Sequence, residues 1–202
     1  MQFYRNIALT PAVAAAQEAR GSRAFARAPE GPPPDRIGDD EAAFIAGRDS
    51  FYIASVNADG WPYIQHRGGP RGFVKVLGPT TLGFADYAGN RQYLTLGNLA
   101  SDERVALFFM DYARQTRLKA FARCRFVEAS GAGELLDAVR DPAYAAKVER
   151  VVLFDVEAFA WNCQQHITPR YDAGDVAAIV QPLRERIAAL EAELAATRGA
   201  AG

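Results

Sequence analysis

Short apolar runs separated by turn residues fill the middle of the chain, a pattern typical of antiparallel β structure. FYIASV (51–56) and WPYIQHR (61–67) flank an Asp-Gly pair, which predicts a β-hairpin. FVKVLGPTTLGFAD (73–86) predicts a second hairpin that turns at its Gly-Pro pair. The first half of this region is therefore expected to consist of hairpins.

Three longer runs follow and complete the predicted sheet. RVALFFM (104–110) has the length and composition of a buried strand, TRLKAFARCRFVE (116–128) alternates apolar with charged residues, and ERVVLFDVEAFAW (149–161) is a last long strand. About six strands, mostly joined as hairpins, predict a mainly β protein built on an antiparallel barrel with accessory helices. A parallel α/β sheet would need long crossover helices between its strands.

Short helices are expected between these strands. DDEAAFIAG (39–47) begins with acidic residues and ends in glycine, as helices commonly do. NRQYLTLGNLASDE (90–103) places its apolar residues roughly on one side, and Asn90 is a suitable N-cap. GAGELLDAVRD (131–141) and PAYAAKVE (142–149) suggest two further short helices.

The two ends of the chain differ from the middle. Residues 1–38 are expected to form an accessory arm with an Ala-rich helical segment and a Pro-rich tether, ahead of a barrel domain at 39–168. Residues 169–202 predict an amphipathic C-terminal helix whose apolar positions follow a 4, 3 step from Val176 to Leu194. Pro182 favours a regular helix that begins only near Gln181. Such a helix could reinforce a dimer or lie on its own barrel.

Composition and charge are those of an ordinary globular protein. Half of the 202 residues are apolar, 23% are charged, and the net charge is −1. That balance gives no indication of nucleic-acid binding, and no apolar run approaches the ~20 residues that span a bilayer. There is no signal-peptide pattern, and the two cysteines form no CxxC motif. A cytoplasmic protein is expected.

The common catalytic and nucleotide-binding motifs are absent. The chain contains no GxGxxG, GxxxxGK[ST], HExxH or GxSxG sequence. Its two histidines, His66 and His166, are too few for a three-histidine zinc site, although distant carboxylates could complete one with them. Because no HExxH spacing is present, no metal centre is expected. Any ligand-binding or catalytic site of the protein is therefore expected to lie in less common sequence patterns.

One such pattern is the segment Gly-Asn-Arg at 89–91, between an apolar strand and a predicted helix. The first backbone N–H groups of a helix are unpaired and carry its positive dipole end, so a helix start with an arginine in its first turn can bind phosphate. The alternative is that Asn90 only caps and Arg91 is solvated. Arg67 and Arg117, at the ends of predicted strands, could join Arg91 at one mouth of a barrel.

A second pattern is WNCQQHITPRY (161–171), which is dense in rings and amides. Such residues suit a planar heteroaromatic ligand, because rings stack on it and amides bond its polar edge. A surface turn before the last helix is an equally good interpretation.

Taken together, the DGWPYIQHR hairpin, LGFADYAGNRQ, LASDERVALFFM and TRLKAFARCRFVE resemble the pyridoxamine 5′-phosphate oxidase-like family of FMN-binding split barrels. The resemblance runs from about Phe51 to Trp161 and rests on the order and spacing of these four pieces. It implies a six-stranded antiparallel split β-barrel that forms a homodimer and holds FMN at the subunit interface.

The resemblance also assigns site residues. The flavin ring would lie along the second strand, and the phosphate would be held by the Asn-Arg pair and its neighbours. With the candidates from the ring-rich segment, the expected cofactor-binding residues are Gln65, His66, Arg67, Ala85, Asp86, Asn90, Arg91, Gln92, Arg117, Trp161, Gln164 and His166. Gln92 stands where the oxidases often have lysine, and Arg117 could restore that charge. No catalytic residue is assigned.

The oxidases themselves end in a Trp-Gly-Gly-bearing strand and an R-L-x-P-like terminus, and this chain has neither. The expected function is therefore an FMN-dependent oxidoreductase that acts on another small-molecule substrate or electron donor. The alternative is a flavin-, deazaflavin- or haem-binding module without turnover, for storage, sensing or electron transfer. A haem would need His66 or His166 as its histidine ligand. A dimeric barrel with an empty cleft is a third possibility.

Overall fold

A computed structural model describes residues 2–22, 33–161 and 164–199 of the chain. The chain divides into two compact units, the first comprising residues 1–111 and 116–163 and the second residues 112–115 and 164–202. All of the β structure belongs to the first unit, and the long C-terminal helix belongs to the second.

The first unit is built on one antiparallel sheet, as the sequence predicts. Its strands are β1 (Ser50–Val56), β2 (Pro62–Gly68), β3 (Lys75–Val76), β4 (Thr81–Tyr87), β5 (Arg104–Asp111), β6 (Thr116–Glu128) and β7 (Val148–Trp161). They lie in the order β2-β1-β5-β6-β7-β4-β3, so both predicted hairpins are present. The predicted count of about six strands is wrong, because the short β3 adds a seventh, and the sheet is not closed by backbone pairing in the described chain.

The alternation of side chains along the strands creates the main core. In β1 and β5, every second residue is buried, and β6 turns Leu118, Ala120, Ala122 and Cys124 to the same interior. Phe51 lies at the centre, where its ring contacts those of four other phenylalanines: Phe73, Phe84, Phe109 and Phe154. Aromatic burial of this extent is the main source of stability for the sheet.

β4 and β7 are buried on both faces. One face contributes Phe84 and Phe154 to the main core, and the other packs with a second cluster that includes Ala85, Val151 and Leu153. This second cluster is covered by α5 (Glu134–Val139), the short helix expected at 131–141. Burial on both sides explains why β7 is a nearly continuous apolar run rather than an alternating one.

Side chains join the two ends of the sheet. β2 is an edge strand, and β4 lies one strand from the opposite edge. Arg67 on β2 nevertheless donates to the Asp86 carboxylate on β4 at 2.9 Å. The sheet must therefore curl until these strands face each other across an open seam.

The remaining helices of the first unit lie outside the sheet. They are α1 (Gln2–Ala8), α2 (Pro11–Glu18), α3 (Asp39–Ala46) and α4 (Leu94–Leu99). The prediction for 39–47 is confirmed, because α3 carries three acidic residues in its first turn and ends at Gly47. On the predicted N-terminal arm, the Tyr4 ring stacks on Phe121 of β6, and the described end of the tether is held where Asp35 accepts from the Phe159 N–H.

The helix predicted at 142–149 is wrong. Asp141 instead begins a turn, in which it accepts hydrogen bonds from the backbone N–H groups of Ala143 and Tyr144. The chain then extends, and the Lys147 carbonyl accepts from the Ala88 N–H. Pairing with the end of β4 outweighs the helix propensity of these alanines, because a segment of eight residues is too short to form a stable helix alone.

The C-terminal helix is α6 (Ala173–Gly199), and it is longer than predicted. The expectation that Pro182 confines the helix to residues after Gln181 is wrong, because the helix continues on both sides of the proline. A proline inside a helix removes one backbone hydrogen bond, and the many flanking helix-forming residues, mostly alanine, leucine, glutamate and arginine, compensate for that loss. None of the described helices is long and apolar enough to cross a membrane.

Cys124 is expected to resist alkylation in the folded protein at pH 8. Burial raises the pKa of its thiol from 9.0 to about 12, so the reactive thiolate is scarce. Because the pKa is higher in the folded state, the associated stabilisation is present below pH 9 and is lost as the pH rises toward 12. Peptide mass spectrometry after iodoacetamide treatment, with and without urea, measures the labelling. Equal labelling rates in both conditions would contradict the buried thiol.

Candidate functional site

A cleft of about 230 Å³ lies in the first unit, at the seam where β2 faces β4. Its walls come from β2, β4, the loop that follows β4, and the start of β7. Seven of the twelve residues expected to bind a cofactor line it: Gln65, His66, Arg67, Ala85, Asp86, Asn90 and Arg91. Strands distant in sequence are thus brought together by the curl of the sheet.

Asp86 is the buried centre of this cleft. Its carboxylate accepts from Arg67 Nη1 at 2.9 Å and from Arg150 Nη2 at 2.7 Å. The Asp86 side chain is only 3% exposed, so both guanidinium groups compensate a charge that water cannot reach. This arrangement fixes the two arginines in the cleft wall.

Arg150 is a cleft residue that the sequence analysis did not identify. Its guanidinium lies 5.0 Å from the centre of the Tyr93 ring, and it also donates to Glu149. Burial alone would lower the pKa of Arg150, but the hydrogen bond and charge of Asp86, together with Glu149, raise it above its ordinary value. The available signal was a charged residue immediately before the buried apolar run VVLF (151–154), where a partly buried charge requires a partner.

The loop before α4 departs from the prediction. Asn90 is not an N-cap, because its side-chain oxygen accepts from the Gln92 N–H two residues later, as in an Asx turn. The chain then passes through left-handed conformations at Arg91 (φ 59°) and Tyr93 (φ 52°), and α4 begins only at Leu94. Arg91 therefore does not lie in the first turn of a helix. Such conformations are uncommon for residues other than glycine and are often found at functional sites.

The side chains of β2 divide between two faces. Gln65 lies on the cleft side, where its amide oxygen accepts from the buried Thr95 hydroxyl at 2.8 Å. Alternation turns the His66 side chain to the outer face, where its ring packs against Tyr52 of the neighbouring strand. Both residues line the cleft, but their side chains lie on opposite faces of β2.

Three other expected residues of the first unit lie outside the cleft wall. Gln92 is exposed beside Asn90, and the Arg117 guanidinium lies over the Phe108 ring on the outer face of the sheet. The Trp161 indole donates to Glu41 at 2.7 Å and packs edge-on against Phe44 of α3. Their contact with a cofactor stays a prediction.

Gln164 and His166 belong to the second unit. Both are exposed, and His166 adopts a left-handed conformation with φ 64°. The neighbouring Ile167 is buried, and its carbonyl accepts from the Gln115 amide within the same unit. Asn162 and Cys163, in the same ring-rich segment, lie outside the described residues. The expected role of this segment at a flavin ring stays a prediction.

Within the described ranges, no group of three or more histidine, cysteine, aspartate or glutamate residues could hold a metal ion. The buried carboxylate of the cleft, Asp86, forms ion pairs with two arginines. The polar chemistry of the cleft is instead that of guanidinium groups, amides and a tyrosine. Burial and the nearby Asp141 raise the pKa of the Tyr87 phenol, so it remains a neutral hydrogen-bonding group.

Comparison with known proteins identifies the family. The family model described as pyridoxamine 5′-phosphate oxidase matches residues 37–161, which include every strand of the sheet and the whole cleft. The chain belongs to the pyridoxamine 5′-phosphate oxidase-like family, of which it is a divergent member. No curated protein sequence matches it significantly.

Several solved structures resemble the chain at low sequence identity. HupZ of Group A Streptococcus is 14% identical, with a TM-score of 0.48 over 66% of this chain and 100% of its own. A Clostridium acetobutylicum protein related to general stress protein 26 is 12% identical, with a TM-score of 0.43 over 64% and 88%. An FMN-binding protein from Syntrophomonas wolfei is 12% identical, with a TM-score of 0.44 over 60% and 83%.

Proposed function

We propose that this protein is an FMN-dependent oxidoreductase that binds the cofactor in the β2–β4 cleft of a homodimer. The observation that carries the proposal is the convergence of Arg67, Arg91 and Arg150 on one cleft within a domain of this family. Its substrate and electron donor would be small molecules.

The charge of the cleft suits a phosphate. Three arginines and two carboxylates, Asp86 and Glu149, line it and leave an excess of positive charge. Among the described residues, the buried Arg67 Nε has no hydrogen-bond partner, which is costly unless a ligand accepts from it. Guanidinium groups bind phosphate oxygens through charge-assisted hydrogen bonds, so these residues fit an anionic cofactor.

The size of the cleft supports a homodimeric site. A volume of about 230 Å³ is below the roughly 300–1,000 Å³ of sites that enclose a cofactor-sized ligand. The outer face of the β2-β1-β5 sheet carries an apolar patch of Ile64, Ala54 and Ala106, and Ile64 is 64% exposed. A second subunit seated on this face would bury it and would supply further walls to the cofactor site.

Each residue would have a defined role when FMN is bound. Arg91 and Arg67 would hold the phosphate, while Asp86 and Arg150 keep Arg67 in place. The Thr95 hydrogen bond occupies the amide oxygen of Gln65, so its NH₂ group is the one presented to a carbonyl of the ring. The flavin itself would supply the electron transfer, and the protein would orient it and exclude water.

FMN is expected to bind the purified apoprotein at least about 100-fold more tightly than riboflavin. The two ligands differ only in the phosphate, and the charge-assisted hydrogen bonds from Arg67 and Arg91 contribute about 1.5–3 kcal/mol each. Quenching of flavin fluorescence measures both affinities. Equal affinity for the two ligands would show that the arginines do not bind the phosphate.

Turnover separates an enzyme from a binding module. The FMN-loaded protein is expected to be reduced by NADH or NADPH and reoxidised by an acceptor over many cycles. The loss of flavin absorbance measures the reduction, and the rate of nicotinamide oxidation measures the turnover. A protein that binds FMN without reduction would instead be a storage or sensing module. Preference for a deazaflavin, or a Soret band on addition of haem, would point to the other members of the alternative class.

A further inference from the structure

The C-terminal helix α6 carries an apolar seam that no part of the described chain covers. It runs for 27 residues, about 40 Å, and none of them is buried. The exposed seam residues include Leu183, Ile187, Leu190 and Leu194, each between 45% and 59% exposed. An isolated helix with such a seam is unusual for a soluble chain and indicates a binding surface.

The seam has the spacing of a coiled coil. With Ile187 at a heptad position a, positions a are Val180, Ile187 and Leu194, and positions d are Val176, Leu183 and Leu190. The helix as observed covers nearly four heptads, because it continues through Pro182. Pro182 falls at position c, on the outer surface, so its ring does not interrupt the seam.

We propose that α6 pairs with α6 of a second copy of this chain as a parallel two-stranded coiled coil. The identity of the seam residues indicates the number of strands, since β-branched residues at a with leucine at d favour dimers. Two of the three a positions are β-branched, Val180 and Ile187, and two of the three d positions are leucine, Leu183 and Leu190. This inference goes beyond the proposed function and does not depend on a bound flavin.

Charges beside the seam are complementary between two parallel copies. In that arrangement each g residue faces the e residue five positions later in the partner helix. Arg186 then faces Glu191, and Glu193 faces Arg198. Within one helix, Arg186 makes only a 4.0 Å contact with Glu193, and both side chains are largely exposed. These groups are therefore available to a partner.

Apolar and charge matching together favour parallel over antiparallel pairing. An antiparallel pair with Ile187 opposite Leu183 matches all six seam residues, but it sets Arg184 and Arg186 opposite their own copies. A parallel pair stacks all six seam residues on their own copies, from Val176 to Leu194. An antiparallel pair that places Ile187 opposite Leu190 also matches charges, but it puts Val180 opposite Thr197 and leaves Val176 opposite position 201, beyond the end of the described helix. The parallel arrangement thus buries more apolar surface at both ends.

Site-specific disulfide formation tests the arrangement in the full-length protein. Leu190→Cys places a thiol at d, where parallel pairing brings it opposite its own copy, and we expect rapid formation of a disulfide-linked dimer on mild oxidation. The matched control is Ala192→Cys at the outer position f of the same turn. Both variants retain the native cysteines. Wild-type protein oxidised under the same conditions is therefore the control for cross-linking through those residues.

Four outcomes decide the proposal. Cross-linking of Leu190→Cys well above that of Ala192→Cys supports it. Equal cross-linking of the two variants, or none by either, overturns it. Disulfides that form only when Ile187→Cys and Leu190→Cys proteins are mixed would show antiparallel pairing and also overturn it.

A second measurement is independent of thiol chemistry. Ile187→Glu with Leu190→Glu should weaken self-association by about 100-fold or more in sedimentation experiments, because like charges would face each other across the seam. Ala188→Glu with Ala192→Glu, on outer positions, should leave it unchanged. Unchanged association of the seam variant would count against the coiled coil.

Discussion

Replacement of Asp86 by alanine is expected to lower the free energy of unfolding by about 3–5 kcal/mol, because it leaves two largely buried arginines without their shared carboxylate. The same change breaks the side-chain bridge between β2 and β4. Urea unfolding followed by circular dichroism measures the loss. This is among the largest effects expected for a single polar residue in the chain.

Two variants show whether the loss comes from uncompensated charge. Asp102→Ala removes a carboxylate that forms a solvent-accessible ion pair with Arg104 and also accepts from the Arg104 N–H, and a much smaller loss than that of Asp86→Ala is expected. Arg150→Met introduced together with Asp86→Ala should recover part of the lost stability, because it removes one of the two stranded charges. If Asp86→Ala unfolds at the same urea concentration as Asp102→Ala, the ion pairs of Asp86 with Arg67 and Arg150 do not stabilise the fold.

Arg91→Ala is expected to weaken FMN binding by about 10–100-fold while leaving riboflavin binding unchanged, because Arg91 is expected to contact only the phosphate. Arg91→Lys keeps the charge but loses the fork geometry, so its affinity should lie between those of wild type and alanine. Fluorescence titration of wild type and Arg91→Ala with FMN and riboflavin gives the four affinities of a thermodynamic cycle.

The matched control for Arg91 is Arg125→Ala. Arg125 is an exposed arginine of β6 that pairs with Asp155 and does not line the cleft. Its loss should change neither affinity. If the Arg91→Ala protein still prefers FMN over riboflavin as strongly as wild type, Arg91 does not bind the phosphate. Arg67 and Arg150 would then be the remaining arginines that could bind the phosphate.

The fold could largely be predicted from the sequence, because strands and hairpins are encoded locally. Alternation in TRLKAFARCRFVE and the Asp-Gly turn after FYIASV specify which residues face the core, and the structure confirms both strands. Local signals were less decisive where two conformations compete. Asn90 can cap a helix or form an Asx turn, and the residues after Asp141 can form a helix or an extended segment.

The candidate site was only partly encoded in this way. The sequence by itself determined most of the strands, the family, the adjacent Asn90 and Arg91, and the heptad spacing of α6. Only the tertiary structure decided that Arg150 meets Asp86, 64 residues away, and that Trp161 is bonded to Glu41. The physical reason is that a hydrogen bond between distant residues depends on how the sheet curls, and no local pattern records that curvature.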